Sequence, residues 1–194
     1  MPASARLPRM NVALRRAMTQ DEFFAWAEAQ EGRYEFDGFQ PIAMTGGSID
    51  HNQIGLNAHV ALRSRLREPC RPLGPDAGVA TVGTTIRFPD ALVTCSKQAG
   101  TATTVEGTMI VFEVVSPGTS RVDRFDKVRE YHAVASIKRY VIVEQTTTAM
   151  SVHFRSDAEP WQIEVLTEGD TLRLPEVGIE IPVAEFYVNV IFNT

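Results

Sequence analysis

The sequence has few cysteines and no long hydrophobic run. Among its 194 residues are only two cysteines, Cys70 and Cys95, which fit neither a CxxC motif nor a Cys/His zinc pattern. Apolar runs such as 109–112 and 140–143 are far too short to cross a bilayer, and the arginine-containing start has no apolar block typical of a secretory signal. We therefore expect a cytoplasmic protein with reduced thiols and no membrane partner.

The sequence also lacks an excess of positive charge. Its 19 Lys and Arg residues face 24 Asp and Glu residues, which gives a net charge of −5. This balance excludes a protein that binds nucleic acid through bulk positive charge. It does not exclude a nuclease whose carboxylates are neutralised by a bound cation. From the length we expect a single domain over 19–194. Because Met10 and Met18 follow closely, we interpret residues 1–18 as a flexible N-terminal arm or, alternatively, as the product of a misplaced translation start.

Three segments carry helix signals. The first is a capping box, in which the Thr19 hydroxyl can accept from the Glu22 amide while the Glu22 carboxylate reaches back to the Thr19 amide. Ser48 is suited to cap the second helix, and apolar residues at helical spacing continue it. We predict helices from residue 19 towards 32, from about 51 to 67, and over 121–135, with Phe125 on the core side of the third.

The remaining segments have strand character. Asp37-Gly38 predicts a hairpin turn between strands at 33–36 and 39–44. Residues 109–115 and 139–144 are almost wholly apolar, as in strands buried on both faces. Alternation of apolar and polar residues predicts a C-terminal β-meander. The order of elements predicts an α/β (α+β) domain, with a mixed β-sheet flanked by helices. The other predicted strands cover 78–82, 84–88, 91–95, 150–154, 161–165, 172–174 and 179–181.

Two carboxylates occupy informative positions. Asp90 follows Pro89 and opens a predicted strand, while Glu113 lies within the apolar run 109–115. A carboxylate in a buried strand is unfavourable unless it is paired or binds a metal. Carboxylates on neighbouring strands can share one divalent cation, and Mg²⁺ prefers oxygen ligands. The alternatives remain open: Asp90 as a turn residue, Glu113 in a structural ion pair, and Lys127 paired with Asp123 one helical turn earlier.

Short motifs that include these residues recur in a specific order. Asp90, Glu113 and Lys127 resemble the PD-(D/E)xK nuclease superfamily, in the version whose lysine lies on the following helix. The whole series, from Met18 nearly to the C terminus, is similar to the bacterial Uma-type family of restriction endonucleases. The motifs are Gly32-Arg33-Tyr34-Glu35, Asp37-Gly38, Met44-Thr45-Gly46-Gly47-Ser48, His51, Phe88-Pro89-Asp90, Phe112-Glu113-Val114-Val115-Ser116-Pro117, Asp123 to Lys127, Tyr131, and Arg139-Tyr140-Val141-Ile142-Val143.

The resemblance implies a restriction-endonuclease-like core and a Mg²⁺-dependent endonuclease that hydrolyses DNA phosphodiester bonds with a metal-activated water. Asp90, Glu113 and the backbone carbonyl of Val114 would be ligands of Mg²⁺ or Mn²⁺. Lys127 would orient or acidify the attacking water, or offset charge in the transition state. Because cleavage of both DNA strands often uses two copies of the enzyme, we also consider a homodimer.

Two further residues match motif positions, and other positions depart from the pattern. The resemblance implies that Glu35 binds the cation or its water and that His51 contacts the substrate. The usual superfamily lysine, two residues after the acid, is replaced by Val115, so hydrolysis depends on Lys127 reaching back. The hairpin after Glu35 is one residue shorter than the commoner form, and Gln40 stands where an acid is usual.

A second hypothesis belongs to another class of protein. The acidic net charge, the shortened hairpin and the lack of a recognition motif such as a zinc finger favour a non-catalytic module. Such a module would bind nucleic acid or protein on a nuclease-like scaffold, since a fold does not by itself imply an activity. The two hypotheses differ in whether Asp90, Glu113 and Lys127 meet in space.

Overall fold

The computed structural model describes residues 16–115, 125–156 and 158–192. Most of the N-terminal arm expected over 1–18, and the first residues of the predicted third helix, lie outside these ranges. The helices within them are α1 (Gln20–Glu28), α2 (Ile49–Arg65), α3 (Lys127–Ala133) and a 3₁₀ helix (Val183–Tyr187). None of these helices combines the length and apolar character needed to cross a membrane. The strands are β1 (Tyr34–Phe36), β2 (Pro41–Ala43), β3 (Arg71–Leu73), β4 (Val79–Ala80), β5 (Ile86–Arg87), β6 (Ala91–Thr94), β7 (Thr108–Val115), β8 (Arg139–Glu144), β9 (Ala149–Phe154), β10 (Gln162–Thr167), β11 (Thr171–Leu174) and β12 (Ile179–Pro182).

The main sheet is mixed and lies between helices, as the sequence predicts. Its strand order is β10-β9-β8-β7-β6-β3, and β7 and β8 are parallel neighbours in the centre while the other pairs are antiparallel. Side chains of α2, such as Leu62, pack with Phe112 on one face. Tyr131 of α3 packs with Val111 and Ile142 on the other face. Burial on both faces explains the nearly continuous apolar runs of the two central strands.

A smaller sheet, β2-β1-β5-β4, brings the N-terminal region to the main sheet. The predicted capping box at the start of α1 is confirmed, and Phe23 of this helix stacks on Phe36 of β1. The hairpin has a four-residue loop rather than a two-residue turn. In this loop the Asp37 carboxylate accepts from the Gln40 amide at 2.7 Å, and Gly38 has a φ of +89°. Because β1 pairs with β5, charged residues of these two strands become neighbours.

The structure departs from the sequence predictions at Phe125 and in the C-terminal strands. Phe125, expected on the core side of the third helix, is 70% exposed; it lies in a π-helical turn at 125–126 that continues directly into α3. The C-terminal meander is broken, because β11 and β12 form a separate two-stranded sheet. Ile163 and Val165, the apolar positions of β10, are 64% and 65% exposed. The short helix α3 packs on β8 and leaves the outermost strand uncovered.

The expectation of reduced thiols is also wrong. Cys70 and Cys95 form a disulfide, because they extend the register in which Arg71 of β3 faces Thr94 of β6. The bond joins the edge strand β3 to the strand that begins directly after Asp90. It closes a loop with a sequence separation of 25 residues.

Reduction of this disulfide should destabilise the protein. In the chain-entropy account, opening a loop of this length lowers the free energy of unfolding by about 3.5 kcal/mol. Urea denaturation with and without reductant measures the difference, and a Cys70→Ser/Cys95→Ser variant provides a control whose stability should not respond to reductant. Free thiols titrated in the native, unreduced protein would contradict the assignment.

Candidate active site

Asp90 and Glu113 lie side by side at one end of the central sheet. Asp90 directly precedes β6, and the register that pairs Ala91 with Phe112 continues to set Asp90 beside Glu113 of β7. One oxygen of the Asp90 carboxylate, Oδ2, accepts from the backbone N–H of Val114 at 2.7 Å. Both carboxylates are therefore positioned by strand pairing rather than by flexible loops.

Lys127 reaches this pair from α3. Its Nζ donates to Glu113 Oε1 at 2.9 Å and lies 3.4 Å from Glu35 Oε1. One helical turn later, the hydroxyl of Tyr131 donates to the same Glu113 oxygen at 2.8 Å. Burial, and then the charge of Glu113, raise the pKa of Tyr131 well above its usual value, which keeps the hydroxyl a neutral donor. The alternative partner Asp123 lies outside the described residues.

Glu35 belongs to a second, fully buried ion-pair network. Arg87 of β5 donates from one NH group to Glu35 at 2.9 Å and makes two bonds to Glu130 of α3, at 2.6 and 2.8 Å. The amide of Phe88 donates to the other Glu35 oxygen at 3.2 Å. Burial opposes the charge of the Arg87 guanidinium, but its bonds to Glu130 and the charges of both carboxylates outweigh burial and raise its pKa. Arg87 thus stays charged and holds β1 against α3.

Three of these buried residues were not assigned roles from the sequence alone. Arg87 is the one charged residue in the predicted strand 84–88, which is the same signal that singled out Glu113. Glu130 and Tyr131 lie three and four residues after Lys127, so all three share one face of α3. Because burial of any charge is unfavourable, and not only that of a carboxylate, a charged residue inside a predicted strand is the signal that identifies Arg87.

His51 lies at the accessible rim of the site. Its Nε2 is 3.5 Å from Asp90 Oδ2, and its side chain keeps about a quarter of its surface exposed. Its amide donates to the hydroxyl of Ser48, which caps α2 as predicted. A Cβ added at Gly47 would come within 2.7 Å of the His51 ring, so a glycine there leaves room for this orientation.

The described residues of the site include more carboxylates than cationic side chains. Four carboxylates and two cationic side chains are involved in the ion pairs given above. The carboxylates belong to Glu35, Asp90, Glu113 and Glu130, and the cations to Arg87 and Lys127.

The oxygen atoms of this site could hold a Mg²⁺ ion only if waters or substrate phosphates completed its coordination shell. In the described ranges, no three His, Cys, Asp or Glu side chains are grouped as metal ligands. Mg²⁺ is commonly held by one or two carboxylates, with waters and substrate phosphates completing its shell. In a strand the N–H and C=O of one residue point to the same side, so the Val114 carbonyl faces the side on which Asp90 lies. The two carboxylates and this carbonyl fit that kind of shared coordination.

The far end of α3 is anchored to β9. A helix of seven residues is too short to be stable alone, so its position depends on outside contacts. The guanidinium of Arg155 donates to the carbonyls of Val134 at 2.6 Å and Ala135 at 3.0 Å, just beyond the helix. It also lies over the ring of Trp161, which stacks on His132 at 3.8 Å. These contacts hold the helix that carries Lys127 and Tyr131.

Comparisons with known proteins agree with this architecture. The profile of the Uma2 family, described as "Putative restriction endonuclease", matches residues 20–184. The chain is 27% identical over 178 residues to the uncharacterized protein slr1290 of Synechocystis, covering 90% of this chain and 94% of that protein. Its fold is similar to the crystal structure of a "putative nuclease belonging to DUF820" from Anabaena variabilis. That match has a TM-score of 0.70 and 13% identity, over 90% of this chain and 99% of the other.

The anchor of α3 should weaken in acid. Burial, then the neighbouring His153 and Arg155, lower the pKa of His132 to about 4, and burial also lowers that of His153. The buried His132 Nε2 and His153 Nδ1 have no hydrogen-bond partner in the described part of the chain. Both rings are therefore neutral in the folded protein, and the unfolded chain binds protons first.

We expect the free energy of unfolding to have its full value, as far as these two rings affect it, above about pH 6.5. It should then decrease by about 1 to 2 kcal/mol, after allowance for solvent exposure, as the pH falls towards 4. Urea denaturation across this range measures the slope. It should flatten in a His132→Gln/His153→Gln variant and persist in His59→Gln. Equal slopes in all three proteins would contradict the prediction.

Proposed function

The chain belongs to the Uma2 family, and on that premise we propose that it is a Mg²⁺-dependent endonuclease that hydrolyses DNA phosphodiester bonds. One observation carries the proposal: Lys127 Nζ lies 2.9 Å from Glu113 Oε1, beside Asp90. Val115 occupies the position of the usual superfamily lysine, so the reaction needs a lysine from elsewhere. The distance supports Lys127 as that lysine.

Asp90, Glu113 and the carbonyl of Val114 would hold the cation, with Mn²⁺ as an alternative to Mg²⁺. A bound cation of this kind lowers the pKa of its water and offsets charge on the phosphoryl group. Tyr131 fixes the orientation of the Glu113 carboxylate by occupying one oxygen. The Val114 amide does the same for Asp90, so the two carboxylates are pre-arranged before any ligand binds.

The remaining residues suit the handling of an anionic substrate. The Lys127 ammonium lies between Glu113 and Glu35, where it can donate to the attacking water or to a phosphoryl oxygen. His51 is accessible and next to Asp90, so it can contact the DNA backbone near the scissile bond. Arg87 holds the Glu35 carboxylate within reach of Lys127. Arg87 would thus affect the electrostatic surroundings of the Lys127 ammonium through Glu35, without itself contacting the substrate.

A non-catalytic module on this scaffold is the competing function. It is favoured by the saturation of the inner carboxylates: Glu113 Oε1 already accepts from Lys127 and Tyr131, and both Glu35 oxygens accept from protein donors. In this second function the network would fix the arrangement of the strands and α3, and its several hydrogen bonds would offset the desolvation of the buried charges. Binding of a divalent cation separates the two functions.

Calorimetric titration of Mn²⁺ should show one site that depends on Glu113. Glu113→Gln keeps an oxygen for Lys127 and Tyr131 but removes the charge that attracts the cation, so affinity should fall at least about tenfold. Glu180→Gln, on the exposed β11–β12 hairpin, is the matched control and should bind as the wild type does. Thermal unfolding establishes that both variants are folded. A folded wild type that binds no Mn²⁺, even with a phosphodiester analogue present, would favour the non-catalytic module.

Lys127→Met should reduce cleavage far more than it reduces metal affinity. Loss of a positioned proton donor typically lowers turnover by about 10²- to 10⁴-fold, whereas removal of a positive charge near the cation does not weaken its binding. Plasmid nicking with Mg²⁺ or Mn²⁺ measures turnover, and Lys97→Met in an exposed loop is the control. Undiminished nicking by Lys127→Met, or by an Asp90→Asn/Glu113→Gln double variant, would count against the catalytic assignment.

A further inference from the structure

The edge strand β10 lacks most of the features that normally protect the edge of a sheet. Proteins protect such edges with short strands, proline, charged side chains and lysine above all, bulges or covering elements. The opposite edge of the same sheet follows this rule, since β3 has three residues, contains Pro72 and is joined to its neighbour by a disulfide. In contrast, β10 has six residues, pairs with β9 in unbroken register, and contains neither proline nor lysine. It is the longest edge strand in the described part of the chain.

The strand is also unusually apolar for its exposure. Every residue of β10 except Leu166 is exposed, including Ile163 and Val165, which point to the same face of the sheet. Its one charged side chain, Glu164, lies on the opposite face, 3.9 Å from Arg139. A long, regular, apolar edge presents a row of backbone donors and acceptors that another strand can pair with.

We propose that β10 pairs antiparallel with β10 of a second copy of this chain, so that the main sheet continues across a two-fold axis. Two-fold symmetric dimers are the commonest assemblies, and each copy must then offer the same patch. An antiparallel strand meets this condition because its backbone pattern is complementary to itself. The proposal is independent of the proposed nuclease activity, since none of the site residues lies on β10.

Charge selects one register for this pairing. Two-fold symmetry requires that facing residues lie on the same face of the sheet, and two such registers give the largest overlap of the strands. One sets Glu164 opposite Glu164 of the partner subunit, and like charges directly opposite are unfavourable. The other sets Val165 opposite its symmetry mate and Ile163 opposite Thr167. We therefore expect the second register, in which apolar side chains meet at the axis.

A strand-only contact is small, so the dimer should have a Kd in the micromolar range. Interfaces that bury on the order of 1,000 Å² in total belong to the weak class. Analytical ultracentrifugation at protein concentrations from about 5 to 200 µM should show that the wild type changes from monomer to dimer as its concentration rises. Val165→Lys adds a residue that protects natural edges, and should remain monomeric across this range. Val60→Lys on α2 is the matched control, since Val60 is 66% exposed and Val165 65%; this variant should dimerise like the wild type.

A cysteine placed at the axis tests the register. The native cysteines are paired with each other, so oxidation of Val165→Cys should give a disulfide-linked dimer in high yield, whereas Ile163→Cys should give at least about tenfold less because its mate lies farther along the strand. Wild type treated in the same way should not cross-link. Circular dichroism verifies that all variants are folded.

Three results would overturn the proposal: a wild type that is monomeric throughout, a dimer insensitive to Val165→Lys, or a dimer broken by Val60→Lys instead. Binding of an unrelated extended peptide to a strictly monomeric protein, lost in Val165→Lys, would reassign the edge to a different partner.

Discussion

The buried carboxylate of Glu113 is the constraint on which the rest of this structure depends. It lies in a strand that packs on both faces, where an unpaired charge would be severely destabilising. Lys127 and Tyr131 satisfy it from one face of α3, which fixes where that helix must lie. The short helix in turn requires an anchor at its other end, and Arg155 with Trp161 supplies it. The buried charge of Glu113 thus fixes the position of α3, and α3 in turn depends on the contacts of Arg155 and Trp161.

A second buried ion-pair network, also on α3, links the two sheets. Glu130 on α3 binds Arg87 of β5, and Arg87 binds Glu35 of β1, so the small sheet is held against the helix by buried charge as well as by apolar packing. Such networks contribute more to a unique arrangement than to net stability, because desolvation offsets most of their attraction. A site that needs carboxylates at fixed positions benefits from that rigidity.

Prediction from the sequence succeeded where the signal was local. A capping box, a capping serine, two buried strands and a carboxylate inside an apolar run all depend on neighbours in the chain. Prediction failed where burial depended on distant elements. The alternation of Ile163 and Val165 is that of a half-buried strand, but β10 is the outermost strand and none of the helices described above packs on it. Phe125 likewise has helical spacing, but its side chain lies on the exposed side of the chain.

By itself, the sequence determined the class of the fold, the two central strands and the presence of a carboxylate within a buried strand. It did so because hydrophobic periodicity and the unfavourable burial of charge act over a few residues. The partners of those residues were decided only by the tertiary structure. Arg87 and Glu130 are 43 positions apart, and Glu35 and Arg87 are 52 apart. Cys70 and Cys95 meet because strand register aligns them. Contacts of this kind form only when the chain folds back on itself, so no local pattern encodes them.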